Sequence, residues 1–139
     1  MKTSILFVAL IYCLSSNAQN NPACLSQFKK IASFIINNRK SELANLVVYP
    51  IKRSNPLPDI KSKTEFINLF PSLFDKPFKN QLQKITEDDL IDRYDGCRLF
   101  AGDIWINEEG RIIAINYQSA SEKQRYNSIL NDVKKRIHP

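Results

Sequence analysis

The stretch DIWINEEGRIIAINY, residues 103–117, decides the architecture. Side chains alternate faces along a strand, so Asp103 and Trp105 share one face and Ile104 and Ile106 the other. Asn107-Glu108-Glu109-Gly110 then forms a short polar loop that ends in glycine, which is a hairpin signal. On the return, Ile113, Ile115 and Tyr117 alternate with Ile112, Ala114 and Asn116. The pattern predicts an antiparallel pair of strands over 103–106 and 111–117.

Working outward, residues 90–94 and 97–101 read as two further strands. The N-terminal half is helical. Asn21-Pro22 is an N-cap followed by proline at the first helical position. From there Leu25, Phe28, Ile31, Ala32, Ile35 and Ile36 recur at helical spacing as far as about Asn38. Ser41 is placed to cap a short second helix through Leu46. Val47-Val48-Tyr49 turns β-prone, and Pro50 confines that strand to an edge or an end. Pro56 and Pro58 mark an extended loop. Ser62-x-x-Glu65 is a capping box for a third helix carrying Phe66, Leu69, Phe70, Leu73 and Phe74, with Pro71 inside it as an expected interruption. Residues 77–85 fit helix or strand. Ser121-x-x-Gln124 opens a last helix whose stripe of Tyr126, Ile129, Leu130, Val133 and Ile137 reads as core-facing. Helices, then strands, then a helix predict an α+β domain: N-terminal helices on a curved, cone-like antiparallel sheet, with a C-terminal helix.

Residues 1–18 read as a secretory signal peptide. Lys2 gives the positive start, residues 5–14 (ILFVALIYCL) the apolar run, and Ser16-Asn17-Ala18 the small residues for cleavage before Gln19. The run falls short of the ~20 apolar residues that a spanning helix needs. Tyr12 before Cys13 makes a poor lipoprotein site. Residues 19–139 are then one α+β domain, long enough for a single core. We expect a bacterial protein, periplasmic or secreted, with no membrane contact after cleavage. Cys24 and Cys97 remain in an oxidising compartment and are expected to form a disulfide. The formal charge is +6 and its distribution is uneven. Residues 29–84 are mainly basic, 85–122 mainly acidic, and 123–139 basic again.

The helix at 25–38, the helix-to-strand step at 41–49, the helix at 62–74 and the hairpin at 103–117 together resemble the nuclear transport factor 2-like (SnoaL-like) superfamily. The resemblance spans about residues 25–119 and leaves the terminal helix outside it. Tyr49-Pro50-Ile51-Lys52-Arg53 with Pro56-Leu57-Pro58-Asp59-Ile60 is also similar to small secreted bacterial proteins of no assigned activity. The resemblance implies a cone of helices closed by a bent sheet, often around a pocket, with a buried carboxylate as base in some members. Asp103 is the weak catalytic candidate on that view, and Trp105, Tyr117 and Tyr49 are candidate ligand-binding residues. The plainer reading leaves Asp103 exposed at the strand's end and puts Trp105 in the core.

Other chemistries find little footing. His138 is the sole histidine and stands beside the terminal residue, so a hydrolytic triad has no positioned base. One histidine and two distant cysteines argue against zinc, and the expected metal and cofactor are none. The three glycines, Gly96, Gly102 and Gly110, form no phosphate loop. The acids Glu87, Asp88, Asp89, Asp92 and Asp95 miss the calcium-loop spacing, and after Thr86 they read as a helix start. No basic run is interleaved with aromatics, so nucleic acid is not an expected partner. The sequence predicts an exported, non-enzymatic binding or interaction module for an unknown protein or small charged ligand. An inhibitor or immunity-type role fits. The alternative is a small lyase- or isomerase-type enzyme with Asp103 as base.

Overall fold

A computed structural model describes residues 22–137; the leader reading of residues 1–18 and His138 lie outside the described residues. Helix α1 (Pro22–Ile36) starts at proline, whose fixed φ and missing N–H suit the first helical position. It buries Cys24, Phe28, Ile31, Ala32 and Ile35, the face given by the periodicity. Asn38 ends it with a left-handed φ of 55°. The N–H of Asn38 donates to Ile35 O (3.2 Å) and that of Arg39 to Phe34 O (2.8 Å), a Schellman closure with asparagine in glycine's usual place. The closure leads straight into α2 (Lys40–Asn45), which buries Leu43 and Ala44. Arg39 therefore takes the N-cap position, and the expected cap at Ser41 is displaced into the first turn.

Strand β1 (Val47–Lys52) follows, and Pro50 is accommodated because β1 lies at the sheet's edge. Ile51 pairs with Ile60 in an isolated antiparallel bridge that folds the proline loop back. Ser62 caps α3 (Lys63–Leu73), its Oγ accepting from Glu65 N–H at 3.2 Å. Glu65 in turn accepts from Lys61 N–H, not from the cap residue, so half of the capping box is realised. Pro71 stands inside α3, which ends at Leu73. Residues 76–82 resolve as helix, α4 (Lys76–Leu82), capped by Asp75. Thr86 and Asp89 bond reciprocally around a 3₁₀ turn at Glu87–Asp89, the helix start expected of that acidic run.

Strands β2 (Leu90–Arg93), β3 (Gly96–Leu99), β4 (Ile104–Ile106) and β5 (Ile112–Ile115) form an antiparallel meander. The order across the curved open sheet is β1-β5-β4-β3-β2. The α+β class and the element order match the sequence reading. The sheet is mixed, however, because β1 joins β5 in parallel. Parallel neighbours need a long crossover, and the helices between these two strands provide one. The hairpin forms as expected, with Gly110 at a φ of 73°, a conformation easy only for glycine. Its return strand departs from strict alternation. Trp105 pairs with Ala114 but Ile106 with Ile112, which leaves Ile113 as the extra residue of a bulge. Ile112 and Ile115 are therefore both fully buried.

The core lies between this sheet and α1 to α4. An aromatic chain fills it: Phe70 packs against Phe74 (5.2 Å between ring centroids), Phe74 against Phe78 (5.9 Å), and Phe78 stacks on Tyr117 (3.9 Å). Burying each such ring contributes about 1.5–3 kcal/mol. Helix α5 (Ala120–Ile137) corrects two expectations. Ser119 caps it in place of Ser121, because the buried Ser119 Oγ accepts from Glu122 N–H (3.2 Å) while donating to Ser72 O on α3. The apolar stripe is also not core-facing. Glu122 is the one buried residue of α5, Tyr126, Ile129 and Leu130 are half-buried, and residues 131–137 are all exposed.

Candidate functional site

Two recesses and one helix face carry the groups that chemistry could use. The first recess, of about 460 Å³, lies between the start of α1, the β2–β3 turn and the β4–β5 loop. Cys24 and Cys97 form a disulfide in its lining, with Cα atoms 6.2 Å apart. Asp92 sits directly opposite Cys97 on β2. Its Oδ1 lies 3.6 Å from Cys97 Sγ and 3.9 Å from Cys24 Sγ. Gln27 of α1 donates through Nε2 to Gly110 O at 2.6 Å, which ties the hairpin loop to the helix across the same recess.

The second recess, of about 420 Å³, is lined by Gln81, Lys84, Asp89, Phe100, Ala101 and Asp103. It lies open at the surface. Asp103 is half-buried. Burial pushes its carboxyl above the usual carboxylate range, and the charge of Lys123 pulls it part of the way back. Its backbone carbonyl accepts from the N–H groups of Asn116 (2.8 Å) and Tyr117 (3.2 Å), which fixes the residue at the mouth of the hairpin.

Trp105, Tyr117 and Tyr49 are not brought together. Trp105 lies on the sheet face away from the core, in register with Arg98 and Ala114. The Arg98 guanidinium stacks over its ring at 3.9 Å. The buried Trp105 Nε1 has no hydrogen-bond partner among the described residues. Tyr117 is on the core side, stacked on Phe78, and its hydroxyl donates to Asp75 Oδ1 at 2.6 Å. Burial, followed by that hydrogen bond and the charges of Asp75 and Asp103, pushes the Tyr117 phenol well above its ordinary value. Tyr49 is at the β1 edge, where its hydroxyl donates to Ala44 O (3.1 Å) and its ring meets Phe66 edge-on. Burial raises the Tyr49 phenol to about 12. Both tyrosine hydroxyls are therefore already engaged within the fold.

Asp75 is the group that the sequence reading passed over. Burial pushes its carboxyl up, but hydrogen bonds from the Tyr117 hydroxyl, Phe78 N–H and Ala120 N–H, with the charge of Lys123, outweigh this and hold it below the usual range. One carboxylate thus joins α4, the segment that follows β5 and the start of α5. The signal available beforehand was only Asp75-x-Pro77, an acidic cap before a proline. A carboxyl depressed in the folded state stabilises it above the unfolded-state value, near 3.9, and that stability is lost as pH falls through the folded value. Asp75→Ala should cost about 1 kcal/mol at pH 7, the usual worth of an N-cap. It should also flatten the loss of stability below about pH 4. Urea unfolding midpoints at pH 7 and pH 3 for both proteins check this. Parallel pH profiles would refute the assignment.

The chain matches no protein-family model, no curated protein and no solved structure. What the fold and its surface define is an α+β domain with an aromatic core, a disulfide in the lining of a surface recess, and a basic C-terminal helix with an open apolar stripe. No helix among the described residues is long and apolar enough to cross a membrane.

Proposed function

We propose that the protein is an exported, non-enzymatic binding module whose contact element is the outer part of α5 and whose partner is a protein with an acidic surface. The observation that carries this reading is the stripe on α5. Val133 and Ile137 are 42% and 65% exposed, in line with the half-buried Tyr126, Ile129 and Leu130. Lys134, Lys135 and Arg136 stand among them. Apolar residues at i, i+3, i+4 and i+7 bordered by cations fit an acidic amphipathic helix or groove. Export is supported by the leader reading and by the Cys24–Cys97 disulfide. The helix-helix-strand-helix order before a four-strand meander supports the nuclear transport factor 2-like reading of the fold. An inhibitor or immunity-type role is one form such a module takes.

The second reading, Asp103 as the base of a small lyase or isomerase, is favoured by its raised carboxyl. A base of that kind works best where water is excluded. Here the aromatic chain occupies the interior, and Asp103 faces an open recess.

A photo-crosslinking residue at Val133, with a control at Asn131, tests the proposal in the native host. We expect a crosslinked protein of acidic surface from position 133 only, lost in the K134E/K135E/R136E variant and retained in Asp103→Asn. Equal crosslinking from both positions, or persistence after charge reversal, overturns it. So does α5-dependent binding to phosphatidylglycerol vesicles in place of a protein.

A further inference from the structure

The geometry points to a divalent-metal site that the disulfide holds in reserve: once reduced, Cys24 and Cys97 together with Asp92 form three ligands for a thiophilic cation such as Zn²⁺. The ligands come from three elements, namely the first turn of α1, the edge strand β2 and its neighbour β3. Their ligand atoms all lie within 4.8 Å of one another. A tetrahedral zinc ion, with Zn–S near 2.3 Å and Zn–O near 2.0–2.2 Å, places sulfur and oxygen about 3.5 Å apart and two sulfurs about 3.8 Å apart. The sulfur-to-oxygen distance of 3.6 Å to Cys97 fits this, and that of 3.9 Å to Cys24 is a few tenths of an ångström longer. Only the sulfurs must separate. The Cα spacing of 6.2 Å permits this by side-chain rotation with the backbone in place.

The placement of Asp92 is part of the argument. Asp92 Oδ1 lies close to both sulfurs, and in the disulfide neither sulfur carries a proton to donate to it. Two thiolates and a carboxylate are instead the donor set of a zinc ion that keeps a fourth position open. The recess of about 460 Å³ that these residues line supplies the entry path, and Glu108 and Glu109 on its border add negative charge.

The balanced sequence has two steps. A dithiol reductant donates two electrons to the S–S bond and two protons to the sulfurs, and leaves as its own disulfide. The cation then binds both sulfurs and releases those two protons to water. In the return step a small disulfide takes the two electrons from the bound thiolates and two protons from water and leaves as its dithiol, and the re-formed bridge expels the ion.

The test uses the full chain in a Cys13→Ala background, so that only the two bridging cysteines respond. After reduction with a phosphine, Zn²⁺ is titrated against a chromophoric chelator. The expected result is one equivalent per reduced chain and none per oxidised chain. Cys24→Ser should abolish binding. Asp92→Asn, an exposed position whose folding is checked by circular dichroism, should weaken it by more than about tenfold, the loss that even outer-shell partners of a metal produce. Co²⁺ in place of Zn²⁺ should give thiolate charge-transfer bands with intense tetrahedral d–d bands. Equal affinity in the oxidised chain, an unchanged affinity in Asp92→Asn, or a Co²⁺ spectrum without thiolate bands overturns the site. If reduction unfolds the chain, failure of Zn²⁺ to restore the circular dichroism spectrum overturns it as well.

Discussion

Glu122→Ala should lower the free energy of unfolding by about 3–5 kcal/mol, the effect of breaking a buried ion pair from one side. Glu122 Oε2 accepts from Arg53 Nη2 at 2.5 Å, with both side chains almost fully buried. Removing the carboxylate leaves a guanidinium without its counter-charge in a site closed to water. Arg53 Nε already has no hydrogen-bond partner among the described residues, so the guanidinium is under-satisfied even with Glu122 in place. The paired replacement of Arg53 by Met and Glu122 by Leu removes both charges and should recover most of the loss. Urea unfolding of the single and double variants measures both effects. A double variant as unstable as Glu122→Ala would mean that the site depends on shape alone. The pair also has a positional role, since Glu122 is the only buried residue of α5 and Arg53 directly follows β1. Losing it should loosen α5 and weaken crosslinking from position 133.

What could be read from the chain was local. Phe28, Ile31 and Ile35 gave α1, and the loop ending at Gly110 gave the hairpin, because both signals lie within one or two turns of sequence. The pairing of β1 with β5 has no such signal, since Val47 and Ile112 meet only after α3 and α4 have been laid between them. The bulge at Ile113 was hidden for a related reason. A run of four apolar residues, Ile112 to Ile115, fits either face until its partner strand fixes the register. For α5 the period correctly gave an apolar stripe, but periodicity does not say what covers it. No local signal marks Arg53 and Glu122, 69 residues apart, as a buried pair. Asp92 was within reach of inference. A two-residue turn at Tyr94-Asp95 puts Asp92 opposite Cys97, whereas the spacing of the acids by itself points to a helix start after Thr86.

Removing the Cys24–Cys97 bridge should produce the other large effect. The bridge closes a loop of 73 residues, for which chain entropy gives a stabilisation of about 4 kcal/mol, an upper figure because the unfolded chain retains structure. The replacement of both cysteines by alanine is the cleaner variant, since serine would put hydroxyls at two residues that are only 4% and 6% exposed. Each alanine also loses the packing of a buried sulfur, so the loss from the pair can exceed the entropic figure. Reduction of the parent chain, which keeps the sulfurs, isolates the cross-link. We expect the urea midpoint to fall on reduction and to fall further in the alanine variant, with the slope rising in both as the unfolded chain expands. An unchanged midpoint on reduction would show that the bridge adds no stability. The comparison also bears on the metal site, because zinc added to the reduced parent should move the midpoint back up, whereas zinc added to the alanine variant should leave it where it is.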